Sequence, residues 1–136
     1  MVNAEPEKST GRCLCGSVRF ETDAQLDNVV HCHCSQCRRQ TGTHVAATRV
    51  PRQSLTIHGD ENLTWFRSSE DAQRAFCARC GPALFWRRIG GTNISIFAGA
   101  MDDQDALRAA SHIYVADKPA WYTIDDGLPQ YERSDR

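Results

Sequence analysis

The stretch His31-Cys32-His33-Cys34-Ser35-Gln36-Cys37-Arg38 puts three thiols and two imidazoles into eight residues with hardly an apolar side chain among them. Such a composition is suited to holding a metal ion. Cys32 and Cys34, at i and i+2, point to the same side of an extended chain, and Ser35-Gln36 is a turn long enough to bring Cys37 round to meet them. His31 and His33 alternate with these cysteines and face the other way, which favours supporting hydrogen bonds or packing over ligation.

Four more cysteines form two Gly-terminated pairs, Cys13-Leu14-Cys15-Gly16 and Cys77-Ala78-Arg79-Cys80-Gly81. Structural zinc takes four protein ligands, whereas catalytic zinc keeps three and leaves a position open. Seven cysteines therefore divide as a closed site of Cys13, Cys15, Cys77 and Cys80 and an open site of Cys32, Cys34 and Cys37, with two Zn2+ ions expected. The glycines agree, because such a turn needs positive φ just after its second ligand. Iron in place of zinc stays chemically open, as does closure of the three-thiol site by His31, His33 or His44. An odd cysteine count and the lack of a signal-peptide pattern disfavour a disulfide framework.

At 136 residues, with 40% hydrophobic and 24% charged side chains, the chain reads as one soluble domain with a real core. A net charge of -1 supplies no field for nucleic acid. No apolar run approaches a membrane span, and reduced metal-binding thiols point to the cytoplasm. Oligomeric state is not legible.

The ligands need elements to position them. Residues 1–10 read as a loose polar tail, and the domain as 11–136. Arg12 to Glu21 alternates with period two and is expected as a strand carrying Cys13 and Cys15 on its polar face. Val29 to Cys32 is a short strand delivering the central stretch, and Arg38 to Gly42 is at most a helical turn closed by glycine. Further strands are expected at His44 to Val50, Ser54 to His58, Leu63 to Arg67, Arg74 to Cys77, Ala83 to Arg88, Asn93 to Ala98 and Ser111 to Val115. Asp102 to Ala110 alone resembles a helix, its acidic residues leading. Many short strands with frequent turns mean an all-β domain. Trp65, Phe85, Trp86 and Trp121 read as core or sheet-covering aromatics, with lining of a substrate cleft as the alternative.

Cys-x-Cys-Gly, then Cys-His-Cys-Ser-x-Cys-Arg, then Arg-x-Phe-Cys-x-x-Cys-Gly, and later a Trp beyond a His-Ile pair, together resemble the glutathione-dependent formaldehyde-activating enzyme (GFA) family, which includes centromere-protein-V-like proteins. The resemblance runs from Gly11 to about Tyr122. It implies a β-tent of stacked antiparallel sheets, a structural zinc at Cys13, Cys15, Cys77 and Cys80, and a catalytic zinc at Cys32, Cys34 and Cys37. Pro82 departs from the small polar residue common at that position. Ser69 and Arg74 match polar positions of the family pattern without an assigned catalytic role.

The expected function is a zinc-dependent carbon-sulfur lyase acting on a thiol adduct such as S-hydroxymethylglutathione, formed from glutathione and formaldehyde. A three-thiolate zinc accepts a substrate thiol and drives its deprotonation. Arg38 and Arg39 lie beside the ligands, placed either to offset charge or to grip a substrate carboxylate, with solvent-facing loop residues as the plain alternative. The competing reading is a zinc-stabilised protein-interaction module without catalysis. The three cysteines beyond the four of a structural site favour the enzyme.

Overall fold

The computed structural model describes residues 7–134. Ten strands and one α-helix are present among them, so the domain is mostly β. The strands are β1 (Ser9–Arg12), β2 (Arg19–Thr22), β3 (Val29–Cys32), β4 (Val45–Pro51), β5 (Leu55–His58), β6 (Leu63–Arg67), β7 (Ala72–Cys77), β8 (Ala83–Arg88), β9 (Asn93–Phe97) and β10 (Ala109–Ile113), and the helix is α1 (Ser35–Thr41). They form a three-stranded sheet of order β1-β2-β5 and a seven-stranded sheet of order β10-β3-β4-β9-β8-β7-β6.

The core lies between the sheets because period-two alternation gives each one an apolar face. Phe20 of β2 meets Phe85 of β8 edge-on, with ring centroids 5.1 Å apart. Val18, Val50, Leu84, Ile94, Ile96 and Met101 join them in this buried cluster, as do Ala75 and the cysteines Cys13 and Cys77. Each large apolar side chain so buried contributes roughly 1.5–3 kcal/mol.

Several expectations are corrected. Cys13 and Cys15 lie in the turn between β1 and β2, not on a continuous strand. Leu14, which shared the apparent alternation with the buried Val18 and Phe20, is 80% exposed. The helix expected over Asp102 to Ala110 is a short 3-10 turn at Gln104–Ala106 followed by β10. Its acidic residues instead cap that turn, the Asp103 side chain accepting the Asp105 N–H. The sheets are also not wholly antiparallel, since β10 pairs with β3 in parallel.

Helix α1 is longer than the single turn expected after Arg38. It starts at Ser35, with Cys34 as its N-cap and Gly42 closing it at φ 93°. Of the expected loose tail, residues 1–6 lie outside the described residues, and β1 already begins at Ser9.

Candidate metal centres

The two cysteine groups read from the spacing are brought together. Cys13, Cys15, Cys77 and Cys80 have their sulfurs within 4.8 Å of one another, and so do Cys32, Cys34 and Cys37. All seven are free thiols.

The four-thiol group joins the two sheets. Cys13 and Cys15 come from the β1–β2 turn of the small sheet, and Cys77 and Cys80 from the end of β7 and the turn that follows it in the large one. Gly16 and Gly81, just after the second cysteine of each pair, have φ of 79° and 96°. The left-handed turn expected there is present, and a side chain would strain it.

The geometry suits zinc. A tetrahedron with Zn–S bonds of about 2.3 Å has sulfur–sulfur edges of about 3.8 Å. Cys13 and Cys15 are 3.7 Å apart, and Cys15 and Cys77 are 3.9 Å apart. Backbone amides point at these sulfurs: Val18 N–H at Cys13, Cys15 N–H at Cys80, and Arg79 and Cys80 N–H at Cys77, all at 3.3–3.4 Å. Donors aimed at sulfur favour the thiolate that a metal requires. The Cys15 thiol is held down at about 6, first by its hydrogen bond with Ser17.

The three-thiol group sits where β3 runs into α1, on the face of the large sheet away from the core. Cys32 ends β3, Cys34 caps α1, and Cys37 lies in the first turn of the helix with its N–H donated to Cys34 Sγ at 3.3 Å. Val45, Phe97 and Trp86 pack against the trio, so Trp86 walls this site instead of the main core. The three thiols share their protons. Hydrogen bonds from Cys32 and then Cys37 hold Cys34 well below an ordinary thiol, while the hydrogen bond with Cys34 pushes Cys32 up.

No imidazole joins this trio among the described residues. His31 Nδ1 lies 3.3 Å from His44 Nε2, and the buried His33 has Nε2 2.8 Å from His112 Nδ1. His112 Nε2 is in turn 2.7 Å from an Asp126 carboxylate oxygen. The imidazoles stack on the opposite face of β3, with the His31 and His112 ring centroids 4.7 Å apart. Desolvation, followed by the neighbouring imidazoles, lowers His33 from 6.5 to about 4, so it is neutral at physiological pH. The sequence marked His31, His33 and His44 but gave His112 and Asp126 no place beside them: the parallel β3–β10 pairing brings His112, and the later segment that bridges His112 at Gln130 brings Asp126.

Arg38 and Arg39 do not reach the sulfurs. They line a cleft of about 550 Å³ with Gly42, Asp117, Pro119 and Trp121. The guanidinium that touches the thiols is that of Arg74, whose Nη1 and Nη2 both lie 3.5 Å from Cys37 Sγ. A sequence signal existed. Strand alternation puts Arg74 on the opposite face of β7 from Ala75 and Cys77, hence toward α1.

All seven cysteines and Arg74 fall within residues 8–117, which match the model of the glutathione-dependent formaldehyde-activating enzyme family. The chain belongs to this GFA family. An uncharacterised lyase of Schizosaccharomyces pombe is 26% identical over 113 residues, 82% of each chain. A crystal structure of a Rhodobacter sphaeroides protein shows the GFA chain's fold, with a TM-score of 0.60 at 21% identity over 90% of this chain and 98% of that one. The GFA match stops short of the segment that carries Pro119, Trp121 and Asp126.

Proposed function

We propose that this chain is a zinc-dependent carbon-sulfur lyase that forms or cleaves S-hydroxymethylglutathione at Cys32, Cys34 and Cys37, with a second zinc held by Cys13, Cys15, Cys77 and Cys80 for structure alone. The observation that carries this reading is the unequal completion of the two groups. Four sulfurs converge in one, while three converge in the other and the nearby imidazoles bond to each other instead. Family membership and the lyase-named relative support the reaction class. The β-tent implied for the family is compatible with two sheets joined at the four-thiol group.

Zinc held by three thiolates would supply a soft fourth position at which a substrate thiol loses its proton. In cleavage the carbon–sulfur bond breaks with its electron pair going to sulfur, the hydroxyl gives up a proton, and formaldehyde leaves; synthesis is the reverse. The protein's own contribution is to orient and exclude. Trp86 and Phe97 dry one side of the trio, and Arg38 and Arg39 offer guanidinium forks in a cleft of a size for a tripeptide bearing carboxylates. We place this chemistry with a small-molecule thiol partner in a reducing compartment such as the cytoplasm. No helix among the described residues is long and apolar enough to cross a membrane.

Exchange of 13C-labelled formaldehyde with glutathione, followed by NMR, tests the reading. The zinc-loaded protein should accelerate exchange between free aldehyde and adduct, and Cys34→Ser should return it to the spontaneous rate. Acceleration that survives Cys34→Ser, or none in the wild type, would move the interaction-module reading ahead.

A further inference from the structure

Arg74 is 5% exposed, so its guanidinium is a buried charge. Arginine does not lose its proton in proteins, and a buried charge is tolerated only where a counter-charge and hydrogen bonds meet it. Among the described residues no carboxylate pairs with it. Its acceptors are Cys37 Sγ, at 3.5 Å from both terminal nitrogens, and the neutral Gln40 Oε1, at 3.0 Å from Nη1. Its Nε is buried with no partner at all. The guanidinium is therefore met by a sulfur of the trio and one neutral amide oxygen, and its counter-charge has to come from the thiolates.

The four-thiol group is served differently. Hydrogen bonds to its sulfurs come from backbone amides, Cys15 Sγ itself donates to the Ser17 hydroxyl, and among the described residues no guanidinium donates to any of the four. Charge counting then separates the two sites. A divalent ion with four thiolates carries a net -2 that is never altered by ligand exchange. A divalent ion with three thiolates carries -1, which the Arg74 charge brings to zero, so an anionic fourth ligand can enter without the repulsion of an uncompensated site. Two N–H groups on Cys37 Sγ also drain electron density from that sulfur, leaving the bound ion a better acceptor for an incoming one.

We propose that Arg74 is a positioning residue that sets what the Cys32, Cys34, Cys37 site accepts as its fourth ligand, its carboxylate-free buried guanidinium favouring an anionic sulfur over a neutral donor. This rests on the reading that the trio holds a divalent metal. It goes further by assigning ligand selectivity to a residue that is itself no ligand.

Cobalt(II) substitution makes the site visible, and two probes separate charge from shape: 2-mercaptoethanol, which binds as a thiolate, and imidazole, which binds neutral. Arg74→Met should weaken mercaptoethanol binding about tenfold or more while imidazole binding stays within about twofold. Arg74→Lys, which keeps the charge without the planar fork, should hold the thiol preference to within about threefold. A merely structural Arg74 would weaken both probes in parallel, and that result, or an unchanged ratio in Arg74→Met, overturns the inference. If Arg74→Met does not fold, a parallel loss of both probes in Arg74→Lys overturns it equally, and a retained preference upholds it. A wild-type cobalt spectrum indifferent to Cys34→Ser would instead remove the metal reading beneath it, an outcome distinct from any change in the ratio.

Discussion

The sulfurs of Cys15 and Cys77 lie 3.9 Å apart although the residues are 62 positions apart in sequence, one in the turn between two strands of the small sheet and the other at the end of a strand of the large one. An ion bound there ties the β1–β2 turn to the end of β7. Loss of a structural metal is among the few single changes that cost more than about 4 kcal/mol. Cys77→Ser should therefore unfold the domain or drop its melting temperature sharply, whereas Cys32→Ser should leave the fold intact. Thermal unfolding followed by limited proteolysis checks this, and the reverse pattern would interchange the two sites.

The same asymmetry governs metal lability. An ion held by three thiolates would keep one ligand exchangeable, so on the proposed function a mild chelator should withdraw one ion per chain rapidly while far-ultraviolet circular dichroism stays unchanged, and the second ion should leave only on unfolding. Elemental analysis along a chelator titration reads this directly. A single class of metal, released together with the fold, would contradict it.

Gly81 gives a smaller and more local test. Its φ is 96°, and a Cβ there would meet nothing within 4 Å, so the whole cost of a side chain is backbone strain. Gly81→Ala should destabilise by about 1–2 kcal/mol without loss of either ion, measured by urea unfolding.

What was legible in the sequence follows from how local each signal is. The grouping of the cysteines into four and three, the positive φ of Gly16 and Gly81 and most strands rest on spacings of a few residues, and they appear in the structure as expected. The helix read over Asp102 to Ala110 failed because β10 is fixed by its parallel partner β3, a tertiary pairing that local acidic residues do not report. The shared parity of Leu14, Val18 and Phe20 predicts a strand through Cys13 and Cys15, yet the chain turns between β1 and β2 and Leu14 faces solvent. The proximity of Arg74 to Cys37 is not local in sequence, since it depends on α1 folding back toward β7.

The packed imidazoles, one buried and two half-buried, make stability depend on pH. His31, His33 and His44 are all lowered, first by desolvation, His33 to about 4. Below the ordinary 6.5 the unfolded chain binds protons that the folded chain refuses, so their contribution is fully present above 6.5 and declines as pH falls toward about 4. Urea unfolding from pH 7 to pH 4 should show stability rising with pH across that window. His33→Asn should flatten part of the slope, and an unchanged slope in that variant would assign the acid sensitivity elsewhere.

The central claim is that a substrate thiol completes the site of Cys32, Cys34 and Cys37. X-ray absorption at the zinc edge measures it most directly. Without ligand the protein should show about 3.5 sulfurs per zinc, the mean of a four-sulfur and a three-sulfur site, with a light-atom neighbour making up the rest. Saturating glutathione should raise this to about four and remove the light-atom shell, and Cys34→Ser should abolish the change. Sulfur coordination that does not move on adding glutathione would contradict the account.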